Sequence, residues 1–191
     1  MPRNRHHAVQ RGGEVAAVEQ HRRERAAHDL SDWFGPTEVS DRDPIVVEAD
    51  DTEVPFRIAV RGRASALGRD EGDGTSLPIG LPLGLVSSVA SLSARTQPVV
   101  ITPLVLNEET RTFTLPPGTK VGRLPDPISI ASDFGSVDVS ATTAGNKVVV
   151  KTRVAVTKGR IEPTEYPRFR QFCQVVDAAL AQRLVVASAP R

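Results

Sequence analysis

An alternation of apolar and polar residues constrains the fold of this chain more than any other feature of its sequence. Between Val39 and Arg160 the apolar residues of successive short runs stand at every second position, most regularly in Lys147–Val156. This period is typical of β-strands with one buried face. The turn residues Ala144-Gly145-Asn146 precede that run, and Gly and Asn accept the positive φ that a tight hairpin requires. Strands joined in this way predict an antiparallel β-sandwich rather than alternating strands and helices.

We expect about seven to nine strands in the sandwich. The predicted strands are Ile45–Ala49, Val54–Leu67, Pro98–Leu106, Arg111–Leu115, Thr119–Leu124, Ile128–Ala131, Ser136–Thr142, Lys147–Val156 and Val185–Ala187. Asp70–Gly74 is predicted to form a turn or a mobile loop, and a turn is predicted at Asn107–Thr110, which separates two runs.

Helical patterns flank the sandwich at both ends. Residues 14–36 predict a lead-in helix, because good helix formers dominate up to Gly35-Pro36, and the basic residues 1–13 predict a disordered tail. A second helix is predicted over 165–184, with Thr164 as its N-cap. Its apolar residues recur at steps of three and four and face a core: Tyr166, Phe169, Phe172, Cys173, Val176 and Leu180. We therefore expect one domain over 37–191, with this last helix packed on a sheet.

The composition argues against several classes of function. The 24 basic and 23 acidic residues nearly balance, so the chain lacks the positive charge that nucleic acids attract. One Trp, one Tyr and six Phe supply few rings for stacking on bases. We therefore expect no nucleic-acid partner. The weakly charged stretch 74–107 is interrupted by four prolines, so we expect no membrane span. The first residues lack the apolar run of a secretory signal peptide. No cofactor motif occurs with its required spacing, and no cofactor is expected.

Thiol catalysis and metal binding each have one candidate group. A nucleophilic Cys173 would need a histidine base within hydrogen-bond reach, but all four histidines lie in the first 28 residues. Because Cys173 stands on the apolar stripe of the last helix, we expect an inert core cysteine. The acidic segment 38–53 holds clustered carboxylates at Asp50, Asp51 and Glu53. The sequence leaves open whether this segment binds calcium or forms a solvated loop and edge strand.

Several motifs in the second half of the chain match a known family. They are Pro98–Ile101, Arg111–Gly118, Leu124-Pro125, Ser132–Gly135, Lys147–Val156 and Ile161–Tyr166. The most specific match is a group on the last helix: Tyr166, Phe169, Arg170, Phe172 and Asp177. In these residues the chain resembles a region of bacterial transglutaminase-like proteins. That region is their carboxy-terminal accessory region, whose function is unknown. The resemblance extends over residues 20–187, and the five helix residues are its structural signature.

The resemblance implies an accessory β-sandwich that follows a transglutaminase-like enzyme core, in proteins exported to the periplasm. The Cys-His-Asp core is absent from this sequence. We therefore expect no enzyme but a non-catalytic structural or protein-interaction module, with a transglutaminase-like domain as its partner. Two alternatives stay open: a glycan- or peptide-binding β-sandwich, with Trp33, Phe56 and Phe134 as its aromatic candidates, and a thiol enzyme using Cys173. Without a signal peptide, a complete chain would be cytoplasmic. The sequence leaves the oligomeric state open.

Overall fold

The computed structural model describes residues 67–72 and 74–187, together with Glu24, His28 and the short stretches 37–39, 46–48, 57–59 and 62–64. The chain divides into two compact units, Met1–Leu67 and Gly68–Arg191. Antiparallel strand pairs dominate the described part of both units. The predicted mainly β fold with antiparallel sheets is therefore confirmed.

In the described part of the first unit, four short strands form two antiparallel pairs. Strand β1 (Thr37–Val39) pairs with β4 (Gly62–Ala64), and β2 (Val46–Glu48) pairs with β3 (Arg57–Ala59). The strand predicted at Ile45–Ala49 corresponds to β2. The single strand predicted at Val54–Leu67 is wrong, because the described residues form two strands, β3 and β4, in separate two-stranded sheets.

Several predictions for the first unit fall outside the described residues. These are the disordered tail 1–13, most of the lead-in helix 14–36, and the acidic cluster at Asp50, Asp51 and Glu53. Within the lead-in segment the structure describes Glu24 and His28, both of which are helical and exposed.

The second unit contains ten strands and two helices in its described part. In chain order they are β5 (Arg69–Asp70), β6 (Gly74–Pro78), α1 (Leu85–Val89), β7 (Val99–Val100), β8 (Val105–Thr114), β9 (Lys120–Arg123), β10 (Ile128–Ser132), β11 (Gly135–Ala144), β12 (Lys147–Val156), β13 (Arg160–Ile161), α2 (Tyr166–Leu180) and β14 (Arg183–Ala187). Most of them build two four-stranded antiparallel sheets, and β7 and β13 form a separate pair.

The first four-stranded sheet has the order β10-β11-β12-β8, with the strand of strongest alternation in its interior. Its buried residues on β12 are Val148, Val150, Thr152, Val154 and Val156. They alternate with exposed or half-buried residues, as the sequence predicts. The hairpin turn between β11 and β12 is confirmed, and its Gly145 adopts a φ of +58°.

The turn predicted at Asn107–Thr110 is wrong, because these residues lie inside the ten-residue strand β8. Each of them has a register partner on β12. On the exposed face Glu108 pairs with Arg153 at 2.9 Å. On the other face the Glu109 carboxylate accepts the backbone N–H of Leu81 at 3.0 Å. Polar residues continue the strand here because a guanidinium and a backbone N–H on neighbouring parts of the chain satisfy the two carboxylates.

The same correction changes the neighbouring strand boundaries. The predicted strands Pro98–Leu106 and Arg111–Leu115 become the two-residue strand β7 and the long strand β8. The predicted turn at Asp70–Gly74 is confirmed by two bonds: the N–H of Glu71 donates to the carbonyl of Gly74, and the N–H of Gly72 donates to Asp70 Oδ1, both at 2.9 Å.

The second four-stranded sheet has the order β5-β6-β14-β9. The predicted strand Val185–Ala187 begins two residues earlier and lies between β6 and β9. The guanidinium of Arg183 ties β14 to β6, since its Nε and Nη2 donate to the hydroxyl and the carbonyl oxygen of Ser76, both at 2.9 Å.

Helix α2 differs from its prediction at both ends. It ends at Leu180 rather than 184, because Arg183 already belongs to β14. Its N-cap is Glu165 rather than Thr164, and Pro167 stands in the first turn, where a missing N–H costs little. The six stripe residues named above are all buried, together with Ala179. They share one hydrophobic core with both four-stranded sheets, and the helix packs on β11.

We predict that Phe169→Ala lowers the free energy of unfolding by about 3–5 kcal/mol, because Phe169 is fully buried and its removal leaves a cavity. Urea denaturation of the full chain measures the change. The matched control is Leu106→Ala on β8, whose side chain is 66% exposed and which we expect to alter stability by no more than about 0.5 kcal/mol. Equal losses in both variants would contradict a core that depends on α2.

Candidate functional site

Helix α2 presents two flanks on either side of its buried face, and each flank holds a different part of the second unit. Tyr166, Arg170 and Asp177 follow one another at steps of four and seven, which places them along one flank. Phe172 and Val175, three residues apart, lie toward the other flank. Four of the five signature residues thus divide between the two flanks, and the fifth, Phe169, is fully buried between them.

Asp177 caps the short helix α1 from across the fold. Its Oδ1 accepts the backbone N–H of Leu85 and its Oδ2 accepts the N–H of Val86, both at 2.9 Å. The first N–H groups of a helix have no acceptor within the helix, and Gly84 at the N-cap offers no side chain. Both oxygens of Asp177 are therefore committed to holding α1.

Tyr166 holds the chain that follows α1. Its ring is fully buried, and its hydroxyl donates to the carbonyl oxygen of Leu92 at 2.8 Å. The guanidinium carbon of Arg95 lies 5.5 Å from the centre of the same ring, which is within cation–π range. The segment 85–95 is therefore fixed to α2 at one end by Asp177 and at the other by Tyr166.

Beside this segment lies an open depression of about 370 Å³, lined by Leu92, Ala94, Arg95, Thr96 and Gln97. Arg95 is half-buried, and its Nε donates to no acceptor in the described part of the chain. The same holds for Arg170, which lies one helical turn beyond Tyr166 on the same flank. Of the two arginines, Arg95 lines the depression, and we take this depression, which we call the arginine site, as the candidate functional site.

The other flank of α2 packs on Phe134, which lies between β10 and β11. Phe134 meets Phe169 edge-on at 5.5 Å between ring centres, and Phe172 at 6.3 Å. The next position, Gly135, has no room for a side chain, because a Cβ there would lie 1.8 Å from the carbonyl oxygen of Ala155. The motif Ser132–Gly135 thus forms the point where α2 meets the first sheet.

Two cations lie over the ring of Phe134, and both have carboxylate partners. Lys158 pairs with Glu165, and Arg168 pairs with Asp133 at 3.1 Å. The hydrogen bond from Lys158, and after it one from the backbone of Glu162, holds the pKa of the Glu165 carboxyl below its ordinary value. These cations are neutralised locally, in contrast to Arg95 and Arg170.

A shallow apolar groove lies between this flank and the strand β10. Its lining includes Phe172, Val175 and Ile130, and Ile130 is 40% exposed. Strand β10 stands at the edge of its sheet in the described part of the chain.

Cys173 lies on the buried face of α2 and is fully buried, as predicted. Burial, and after it the charge of Asp177, raises the pKa of the thiol to about 12. A thiol with this pKa is protonated at physiological pH and is a poor nucleophile.

Comparison with known proteins identifies the family. A model of DUF3858, a domain of unknown function with a solved structure, matches residues 81–186, which is more than half of the chain. The chain belongs to the DUF3858 family. The DUF3858 region includes α1, α2 and the whole arginine site, whereas β5 and β6 precede it.

One solved structure is distantly similar to this DUF3858 chain. It is the crystal structure of a candidate protease from Parabacteroides distasonis, with 23% sequence identity and a TM-score of 0.48. The match covers 61% of this chain and 24% of the other, so the chain corresponds to about a quarter of that protein's length. The comparison with curated proteins gives no match.

Some predicted site residues of the DUF3858 chain lie elsewhere or outside the described structure. Trp33 and Phe56 are outside it, and Phe134 is only 2% exposed, so it offers no aromatic surface to a glycan. Among the described residues no group of three metal-binding side chains comes together. No helix in that part of the chain is long and apolar enough to cross a membrane.

The sequence pattern predicts Tyr166, Arg170 and Asp177 on one helix, but it does not predict α1 or the bonds that hold it. No helix is predicted at Leu85–Val89 from the sequence. No local pattern predicts these contacts, because α1 has only five residues and its cap, Asp177, lies 92 residues from Leu85.

We predict that Asp177→Ala destabilises the DUF3858 fold by about 1–2 kcal/mol, because the first N–H groups of α1 lose their acceptors. Urea denaturation measures the loss, and hydrogen exchange should show faster exchange at Leu85 and Val86 than in the parent chain. Asp177→Asn is the matched control, since its one remaining amide oxygen keeps part of the cap. Unchanged exchange at both amides in the alanine variant would show that Asp177 does not hold α1.

Proposed function

We propose that this chain is a non-catalytic protein-interaction module that serves a transglutaminase-like enzyme core as its accessory domain. The observation that carries the proposal is the arginine site, an open surface depression lined by Arg95, whose Nε finds no acceptor among the described residues. Arg is favoured at interfaces because its planar donors match a partner's carboxylate. A rigid segment, held by Tyr166 and Asp177, presents this site at the surface.

The surroundings of the single thiol support a non-catalytic role. Cys173 lies among apolar side chains of the core, and its raised pKa keeps it protonated. A thiol nucleophile requires the opposite surroundings, with partial exposure and a nearby positive charge or base.

The identity of the enzyme partner is supported by the sequence resemblance. The signature on α2 and the motifs before it are similar to the region that follows a transglutaminase-like core. Membership of the DUF3858 family agrees with an accessory region of unknown function.

A peptide-binding module is the second candidate function, and the groove beside β10 favours it. An extended peptide could add a strand to the edge of the sheet and place a side chain against Ile130 and Phe172.

We predict that Cys173 is inert in the native protein. A pKa of about 12 instead of 9.0 leaves about a thousandfold less thiolate at pH 8. Labelling with a chromogenic disulfide reagent should therefore be far slower in the native chain than in the chain unfolded in urea. Cys173→Ser is the blank for the assay. Stoichiometric labelling of the native chain at the rate of the unfolded chain would favour the thiol enzyme.

The proposed partner is tested by titrating the full chain with a transglutaminase-like catalytic domain from the same organism in a calorimeter. We expect saturable binding with one-to-one stoichiometry. A second titration uses a library of extended apolar peptides. Binding to those peptides alone, abolished by Ile130→Asp, would instead establish the peptide-binding module.

A further inference from the structure

We infer that the edge of the first four-stranded sheet at β10 is a dimer interface, at which β10 pairs with β10 of a second copy of this chain. The inference goes beyond the proposed function, because it names a second surface and a second partner. Three observations carry it: the composition of β10, the groove beside it, and the match of this strand with its own copy.

The two four-stranded sheets have four edge strands in the described part of the chain: β10 and β8 in the first sheet, and β5 and β9 in the second. Edge strands expose unpaired backbone N–H and C=O groups, and charged side chains or bulges commonly protect them from pairing with other chains. Three of the four edges carry charged residues: Glu108, Glu109 and Arg111 on β8, Arg69 and Asp70 on β5, and Lys120 and Arg123 on β9.

Strand β10 has no such protection. Its five residues, Ile128–Ser132, include no charged residue and no proline. They pair with β11 in continuous register, without the irregularity that interrupts the pairing of β9 with β14. A regular and uncharged edge of this kind is suited to pairing with another strand.

The groove beside β10 continues the buried face of the sheet. Ile130 pairs in register with the buried Val137, so it lies on the face that α2 covers. It is 40% exposed, and Phe172 and Val175 of α2 line the groove with it. Arg168 adds a charged group to this lining. An apolar centre beside polar groups is typical of a protein interface.

The sequence of β10 matches an antiparallel copy of itself. A two-fold axis at Ile130 places the two Ile130 side chains opposite each other. It also places Ser129 opposite Ala131 of the second copy, and Ile128 opposite Ser132 of the second copy. No like charges meet in this pairing, and aliphatic side chains face each other at its centre. Both copies use the same surface, as in the common two-fold dimers.

The groove favours a second copy over a single extended peptide. In the dimer both copies of α2 lie on one side of a continuous eight-stranded sheet. Because each α2 packs on β11, three strand spacings, or about 14 Å, separate the two helices. Helices in direct contact lie about 8–10 Å apart, so Ile130, Phe172 and Val175 of both copies can fill the space between them. A peptide would bring no such second helix flank.

The test measures the mass of the full chain by sedimentation equilibrium over a range of concentrations. We expect a reversible dimer. Hydrogen exchange should show stronger protection of the β10 amides at high than at low concentration, with no change at β8. A chain that stays monomeric at millimolar concentration, or protection that rises at β8 instead, would overturn the inference. These measurements use the parent chain and depend on no variant.

Charge variants at Ile130 test the two-fold pairing itself. In Ile130→Lys and in Ile130→Glu two like charges face each other, so each variant alone should associate more than about tenfold more weakly. An equimolar mixture should restore the dimer, because a lysine then faces a glutamate. The restored dimer also shows that both variants fold.

The matched control is Leu106→Lys on the other edge strand, β8, where the side chain is 66% exposed. This variant should leave self-association unchanged. If it weakens association as much as Ile130→Lys, or if a mixture of the two folded Ile130 variants associates no better than each alone, the pairing at Ile130 is wrong.

The outcomes also separate this inference from both candidate functions. A monomeric chain that binds extended apolar peptides at Ile130 would overturn the dimer and favour the peptide-binding module. A monomer that binds the transglutaminase-like domain would overturn the dimer and leave the proposed function standing. A dimer that does not bind this domain would confirm the inference and contradict the proposed partner.

Discussion

The second unit depends on the burial of one face of α2. The helix packs on β11 of the first sheet, and only Ala181 and Gln182 separate its end from β14 of the second sheet. Because β14 lies between β6 and β9, the placement of α2 also determines where that sheet can form. Phe134 and Phe169 join the helix to the turn before β11. One buried stripe thus links both sheets to a single core.

Local periodicity predicted the elements whose residues alternate or recur without interruption. Strand β12 and the buried stripe of α2 are such cases, since each buries a repeating set of apolar side chains. The prediction failed where distant partners decide the structure. Glu108 and Glu109 continue β8 because Arg153 and the backbone of Leu81 meet them, and neither partner is close in sequence. The end of α2 was misplaced for a similar reason, because the pairing of Arg183 with β6 stops the helix.

The candidate site was accessible to sequence reasoning only in part. The resemblance singled out Tyr166, Arg170 and Asp177, and their spacing places them on one flank of α2. Their contacts could not be predicted, because α1 has only five residues and a helix of that length is unstable on its own. Its cap, Asp177, lies 92 residues from Leu85. The burial of Cys173, in contrast, follows from the apolar stripe alone.

Asp177 connects the stability of the fold to the position of the arginine site. Its two oxygens accept the N–H groups of Leu85 and Val86, both at 2.9 Å, and so fix the start of α1. Tyr166 fixes the same segment at Leu92, and the guanidinium of Arg95 lies over the ring of Tyr166. Contacts within the second unit therefore hold Arg95 in place, so that its side chain loses less conformational entropy on meeting a partner than a flexible arginine would.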